Sequence, residues 1–206
     1  MSEPYPLLLR LEGPMQSWGY RSRLDYRDTA LEPTRSGVIG LICAAMGIGR
    51  GEDISQFDAI RMGVRVDKQG RPERDYHTAE HVIKADGSGT DTVVSIRDYL
   101  ADASFTVGLQ STNNDLLAEI AKSLRDPAWF LFLGRKAFPL ALPPLRSEDC
   151  PKPGTLEEHL FSADSHKRIV LEAPDGERTQ HDWPLCFRER RFKPRSIDAT
   201  SGGGMP

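Results

Sequence analysis

The chain has 206 residues, 38% of them hydrophobic and 28% charged, with a formal net charge of −3. That length supports one sizeable core, or one domain with a small appendage. No apolar run approaches the ~20 residues of a membrane span, and Arg10 and Glu12 follow the short Leu7–Leu9 run too closely for a secretory leader, so a cytoplasmic protein without a membrane contact is expected. Cys43, Cys150 and Cys186 are scattered and odd in number, which argues against a disulfide framework or a zinc ribbon and for buried free thiols.

Tyr5 to Leu11 reads as a buried strand that stops at Gly13-Pro14, and a polar stretch runs on to Glu32. A helix is expected next, with Thr34 as N-cap and Gly47 just past its end. Val38, Leu41, Ile42 and Ala45 recur at helical spacing, while Gly37, Gly40 and Ala44 make a small-residue face suited to close approach to a sheet. Ala59 to Val66 alternates as a half-buried strand. Residues 67–92 are polar and Gly-containing, which predicts a mobile loop or hairpin tip, with Asp86 to Asp91 the most mobile part. Val93–Ile96 and Ser104–Leu109 are further strands. Asn113 or Asn114 caps a second helix that ends at Asp126-Pro127, and Trp129–Leu133 is one more strand.

The order strand, helix, strand, hairpin, strand, helix, strand is the β-α-β-β-α-β pattern of an α+β, ferredoxin-like (RRM-like) core with an insertion. Pro143-Pro144 marks a boundary. Residues 1–141 are therefore expected as one domain and 142–206 as a C-terminal extension packed on it. The extension holds a short helix near Leu156–Phe161 and a β-hairpin whose strands, Ile169–Glu172 and Pro184–Phe192, flank Asp175-Gly176. A Gly-rich tail, 201–206, is expected to be flexible.

Five segments carry candidate chemistry. Gln16 and Trp18 follow the first strand, where an amide can read a base edge and an indole can stack on an unpaired base. The competing role for Trp18 is a core plug. Arg35 and Ser36 open the first helix, whose free N–H groups favour an anion, although ordinary capping explains the same residues. Tyr76 and His77 offer an acid–base pair, but one such pair is weak evidence, and the His77…His81 spacing lacks the glutamate of a zinc protease. Gly134-Arg135-Lys136 suits phosphate contact. Phe187 to Arg195 carries five cations against one anion with aromatics between them; if extended, Arg188, Arg190 and Phe192 share a face, and the alternative is a charged edge strand. No nucleotide loop, nucleophile elbow or paired-carboxylate signature occurs, and Gly47–Gly51 reads as a loop that ends the helix.

Taken together, LLLRLEGPMQSWG (7–19), PTRSGVIGLICAAMGI (33–48), RDYHT (74–78), RDYLADASFTVGL (97–109), LGRKAFPL (133–140) and, more loosely, FRERRF (187–192) resemble the CasD family. These are the RAMP-superfamily subunits of type I-E CRISPR Cascade complexes. The resemblance implies a ferredoxin-like core with a β-hairpin thumb at about 76–99. It implies a hetero-oligomeric complex in antiviral defence, with the crRNA 5′ handle, CasC backbone subunits and the CasA large subunit as partners. It implies no catalytic residue, metal or cofactor, because in these systems a separate endonuclease, CasE, cuts the precursor. A type I-C relative does cut RNA with Tyr, Lys and His. Tyr76 and His77 are present here, but no matching Lys-His pair is. The candidate RNA contacts are thus Gln16, Trp18, Arg35, Ser36, Tyr76, His77, Arg97, Arg135, Lys136, Arg188, Arg190 and Arg191. Two other functions remain open at this point: a metal-independent endoribonuclease acting on repeat RNA, and a protein-only assembly module.

Overall fold

The computed structural model describes residues 5–19, 21, 25–145, 153–161 and 167–200. In β1 (Leu7–Glu12) alternation sends Leu7, Leu9 and Leu11 inward and Leu8, Arg10 and Glu12 to the other face. Two short strands follow, β2 (Met15–Gln16) and β3 (Tyr26–Arg27). Helix α1 (Arg35–Met46) starts and stops where the sequence predicts. Thr34 Oγ1 accepts a hydrogen bond from the Gly37 N–H, and Gly47 takes a left-handed backbone with φ 75°.

The strand expected from Ala59 is β4 (Arg61–Lys68). The polar stretch after it is mostly ladder rather than loop. β5 (Arg71–Ile83) and β6 (Thr90–Ala101) pair antiparallel from Arg71↔Ala101 to Ile83↔Thr90, with a bulge between Ala79 and Val82 where His81 has φ 57°. The hairpin therefore starts further back than Tyr76. Its apolar content is too low for the ladder to be obvious from periodicity. β7 (Ser104–Gln110) follows, then α2 (Asn114–Arg125), whose Leu116 N–H is capped by Asn113 Oδ1.

Residues 129–133 do not form the strand expected of them. Their N–H groups go elsewhere: Ala128 and Trp129 donate to Ala45 O and Ala44 O at the end of α1, and Phe132 makes an isolated bridge to Pro139. The open edge of β1 is met instead by 141–144, through Ala141 N–H to Glu12 O and Arg10 N–H to Pro144 O.

Helix α3 (Leu156–Phe161) lies where expected. It seats over the cross-strand pair Gly63↔Gly108; a Cβ on Gly108 would come within 2.3 Å of Leu156 Cδ1. Beyond it the hairpin reading is corrected. β8 (Ile169–Glu172) does not pair with β9 (Arg178–Cys186); β10 (Arg191–Thr200) lies between them and pairs with both. The β9–β10 reversal is the turn 187–190, where Arg190 has φ 54°. The basic run is thus bent, and Arg188, Arg190 and Phe192 do not line one strand face. Asp182 and Arg195 face inward on adjacent strands and pair there, which favours this register over an extended one.

The result is an α+β fold with two sheets. The six-stranded sheet has the order β1-β7-β4-β8-β10-β9, and the smaller one has β2-β6-β3 with β5 on β6. α1 and α2 share the main core with Leu7, Leu9, Phe105, Val107 and Met62. Among the described residues no helix is long and apolar enough to cross a membrane. Cys43 is buried and free, its thiol pushed up to about 12 by burial; Cys186 is half-buried and free, and Cys150 lies outside the described residues, as does 201–206.

The hairpin tip tests one expectation directly. Residues 84–91 are all exposed; Lys84 N–H to Gly89 O, Gly87 N–H to Lys84 O and Ser88 N–H to Asp86 Oδ1 span the turn, and Thr90 and Asp91 sit at the outer end of the β5–β6 ladder. Their amides should exchange within seconds in the free protein, while Leu100 and its buried neighbours stay protected. Strong protection at 84–91 in hydrogen-exchange mass spectrometry would overturn this.

Candidate nucleic-acid interface

Gln16 and Trp18 are structural. The Gln16 side chain is fully buried, with its Nε2 donating to Ala103 O at 2.8 Å and Leu11 O at 3.3 Å. Its Oε1 accepts from the Trp18 indole at 3.1 Å. Trp18 is only 1% exposed and packs against Gly37, where an added Cβ would sit 2.7 Å from the indole ring. On the small face of α1, Gly37 receives this indole and Gly40 faces the Phe187 ring, in place of the expected sheet. Neither side chain offers a free edge or a stacking face to RNA. They form the floor on which a site stands.

Arg35 is also corrected. Its guanidinium is 1% exposed and points away from the helix start into the C-terminal strands. There it donates to Glu172 at 2.9 and 3.0 Å, to Ile60 O at 2.7 Å and to Phe57 O at 2.8 Å, with the Trp183 ring 3.6 Å from its carbon. Arg195 completes the cluster, bonding Glu172 at 3.0 Å and Asp182 at 2.6 and 2.9 Å. Burial pulls the Arg35 pKa down, and Glu172 opposes that. Asp182 accepts the Arg35 N–H at 2.7 Å and Thr34 the Gly37 N–H, so two of the donors expected to hold a phosphate are already used.

Beside this floor a cleft of about 420 Å³ gathers residues from seven stretches of sequence. Ser17 to Gly19 and the start of α1 line its base, with Ser36 among them. Arg27, Arg50, Arg135 and Arg190 surround it, with Phe187 and Phe192 at one side and Asp28 as the one acidic lining residue. The guanidiniums of Arg27, Arg50 and Arg190 make no hydrogen bond or ion pair with any described residue. Phe192 is exposed. Arg188 N–H donates to Arg50 O, which ties the 187–190 turn to the loop after α1 and brings Arg50 and Arg190 to the same opening.

Arg135 plays a different part from its neighbours. Its NH2 group donates to Asp98 O at 2.8 Å and Arg27 O at 3.2 Å, so it braces β3 and β6 against the 134–136 loop. Burial, then the nearby Arg97 charge, lowers its pKa. Gly134 makes the approach possible: with φ 86°, a Cβ there would fall 1.7 Å from Ser17 O. Asp98 is the hub of the same region. Arg74, and then Tyr26, donate to its carboxylate and hold its pKa low.

The other candidates lie apart. Tyr76 is 69% exposed on the hairpin and pairs with Ile96; His77 pairs with Ser95 and lies 3.8 Å from Asp75. As neighbours on one strand the two point to opposite faces, so they do not assemble an acid–base pair. Arg97 donates to Ser95 Oγ on that ribbon. Lys136 lines a separate groove, Arg188 stands on the turn outside the cleft, and Arg191 is engaged with Glu189 at 2.7 Å. Two cleft arginines carry no clear sequence signal of a site. Arg50 lies in a Gly-flanked loop that reads as a helix stop, and Arg27 in a polar stretch without periodicity; an arginine next to an obligate turn was the only available signal. Among the described residues no His, Cys, Asp or Glu cluster is placed to hold a metal ion.

An α+β scaffold with one polar, arginine-rich cleft edged by phenylalanine defines a protein suited to a short polyanionic strand. The family model described as CRISPR-associated protein (Cas_Cas5) matches residues 6–198. The chain therefore belongs to the Cas5 family of CRISPR-associated proteins. It is 32% identical to the CRISPR system Cascade subunit CasD of Escherichia coli (strain K12) over a 218-residue alignment covering 96% of each. A solved chain described as CRISPR RNA-guided surveillance complex superposes with a TM-score of 0.81 at 31% identity, covering 96% of this chain and 90% of that one. Another, described as the crystal structure of a Cas protein, gives 0.77 at 35% identity, with 96% and 94% covered.

Proposed function

We propose that this chain is the non-catalytic RNA-binding subunit of a type I-E CRISPR surveillance complex in the cytoplasm, and that its cleft holds the 5′ handle of the crRNA. The observation that carries the reading is the convergence of Arg27, Arg50 and Arg190, whose guanidiniums have no partner among the described residues, beside Phe187 and Phe192. Unpaired guanidiniums at one opening favour phosphates, and an adjacent ring favours an unstacked base. A short single-stranded handle carries few phosphates, so a local patch suffices on a chain of net charge −3.

We read β1, α1, β4, β7 and α2 as the ferredoxin-like core, with 141–144, where the core passes into the extension, lying in the place of a fourth strand. The β5–β6 hairpin is then the thumb, and the residues from 142 onward form an extension. CasC backbone subunits and the CasA large subunit are the proposed neighbours. A subunit similar over 96% of its length to a member of a Cascade is best understood as working inside one. The opposed directions of Tyr76 and His77 favour binding over cleavage.

The test is a crRNA with 4-thiouridine in its 5′ handle, irradiated in the assembled complex. Crosslinks to peptides holding Arg27, Arg50 or residues 187–192 are expected. Crosslinks confined to other subunits would overturn the assignment.

A further inference from the structure

A second concavity lies beside the arginine cleft, and its chemistry differs. It is a groove of about 770 Å³ between α1 and the 129–136 loop. Ala44 and Ile48 stand on one wall, Trp129, Phe130 and Phe132 on the other, and Gly40 adds no side chain between them. The loop is fastened in place: Ala128 N–H to Ala45 O at 2.9 Å and Trp129 N–H to Ala44 O at 3.1 Å pin it to the last turn of α1. The groove is thus preformed.

Trp129 and Phe130 are adjacent in sequence and respectively 50% and 70% exposed. An aromatic side chain buries about 150–250 Å² when covered, so leaving half or more of two of them in water forgoes a large share of their hydrophobic gain. A contiguous exposed patch of this kind marks an interaction surface rather than a chance feature. Its position next to the cleft raises two occupants, a nucleobase and a protein side chain. A nucleobase needs hydrogen-bonding partners for its edge as well as a stacking face. Those groups are concentrated in the arginine cleft, and the groove walls are apolar. A protein anchor needs apolar depth with a polar rim. The rim here is cationic: Arg50 stands where the groove meets the cleft, and Lys136 is exposed without a partner among the described residues.

We propose that this groove is a protein-docking site. It takes a polypeptide segment of another subunit of the surveillance complex, with an apolar side chain seated against Trp129, Phe130 and Ile48 and an acidic residue beside it meeting Lys136. This rests on the reading that the chain works within such an assembly. Because Arg50 and Phe187 border both concavities, the docked segment lies directly against the bound RNA end. The face then joins two partners of different chemistry side by side.

The experiment places p-benzoylphenylalanine at position 130 of the full chain within the assembled complex. Phe130 is exposed, so the replacement leaves the fold intact, and a matched thermal melt checks this. Irradiation should crosslink position 130 to a peptide of another subunit that carries an apolar residue within a few positions of Asp or Glu. Lys136→Glu should lower the yield about tenfold, since like charges at an interface are strongly unfavourable, and Lys136→Arg should retain it. A crosslink to RNA alone, no crosslink in a complex holding all its subunits, or a yield indifferent to Lys136→Glu would each overturn the proposal. RNA retained by the same sample is measured in parallel. A complex that lacks RNA but keeps the protein crosslink would sink the handle-binding reading and leave the docking site standing.

Discussion

Replacing Arg35 with alanine should lower the free energy of unfolding by about 3–5 kcal/mol. The reason is an imbalance of buried charge. Arg35 and Arg195 face Glu172 and Asp182, two cations against two anions, all with little or no exposure. Removing Arg35 leaves two buried carboxylates with one guanidinium between them. It also strips Ile60 O and Phe57 O of their donors and takes a cation from the face of Trp183. Desolvating two charges costs more than an exposed pair returns, so a well-packed apolar replacement of the whole cluster would be tolerated; deleting one member would not. Glu172→Gln should act in the same direction, because it leaves two arginines with one carboxylate and weakens the bond to Met62 N–H. The melting temperature of Arg35→Ala should fall by on the order of 10 °C. Urea unfolding checks the free energy, and a loss under about 1 kcal/mol would show that the cluster is replaceable by water.

That cluster also explains why PTRSG, by sequence alone, leaves a phosphate site and ordinary capping both open. An arginine at a helix start has the right chemistry for an anion, and the sequence contains nothing to show that the anions are Glu172 and Asp182, more than 130 residues away. The same limit applies to GPMQSWG. Its amide and indole suit base recognition, but burial against Ala103 and Gly37 is a tertiary fact that no local pattern carries. What depends on neighbouring residues was legible: the caps Thr34, Gly47 and Asn113, the alternation of β1, and the site of α3. What depends on competing partners was not. Residues 129–133 are apolar enough for a strand, but Trp129 N–H goes to Ala44 O at the end of α1 and Leu133 N–H to Phe138 O within its own loop. Nothing in Phe187 to Arg195 itself says whether the run is extended; the Asp182–Arg195 pairing places a turn within it. Of the candidate site, Ser36, Arg135 and Arg190 do reach one cleft, together with the Trp18 that floors it; Arg190 does so as exposed charge on a turn.

The triple variant Arg27→Ala, Arg50→Ala, Arg190→Ala should reduce the slope of log affinity against log salt by about 2 for a single-stranded handle RNA, since each lost phosphate contact removes about 0.7. Affinity itself should fall by two to three orders of magnitude near physiological salt, taking about 1.5 kcal/mol for each charge-assisted contact and allowing for non-additivity. Stability should change little, because none of the three guanidiniums holds another described residue. The control is the pair Arg188→Ala, Arg191→Ala. It removes cations from the same basic run, but Arg188 stands outside the cleft and Arg191 is engaged with Glu189. If overall charge drew the RNA, the pair would flatten the slope nearly as much per arginine as the triple does. If the cleft holds it, the pair leaves the slope within error of the parent. Fluorescence anisotropy with labelled handle RNA at several salt concentrations separates the two. An unchanged slope in the triple variant would mean that these arginines meet protein instead, and the RNA would have to be sought on the β5–β6 ribbon, where Tyr76 and Ile96 lie exposed on one face.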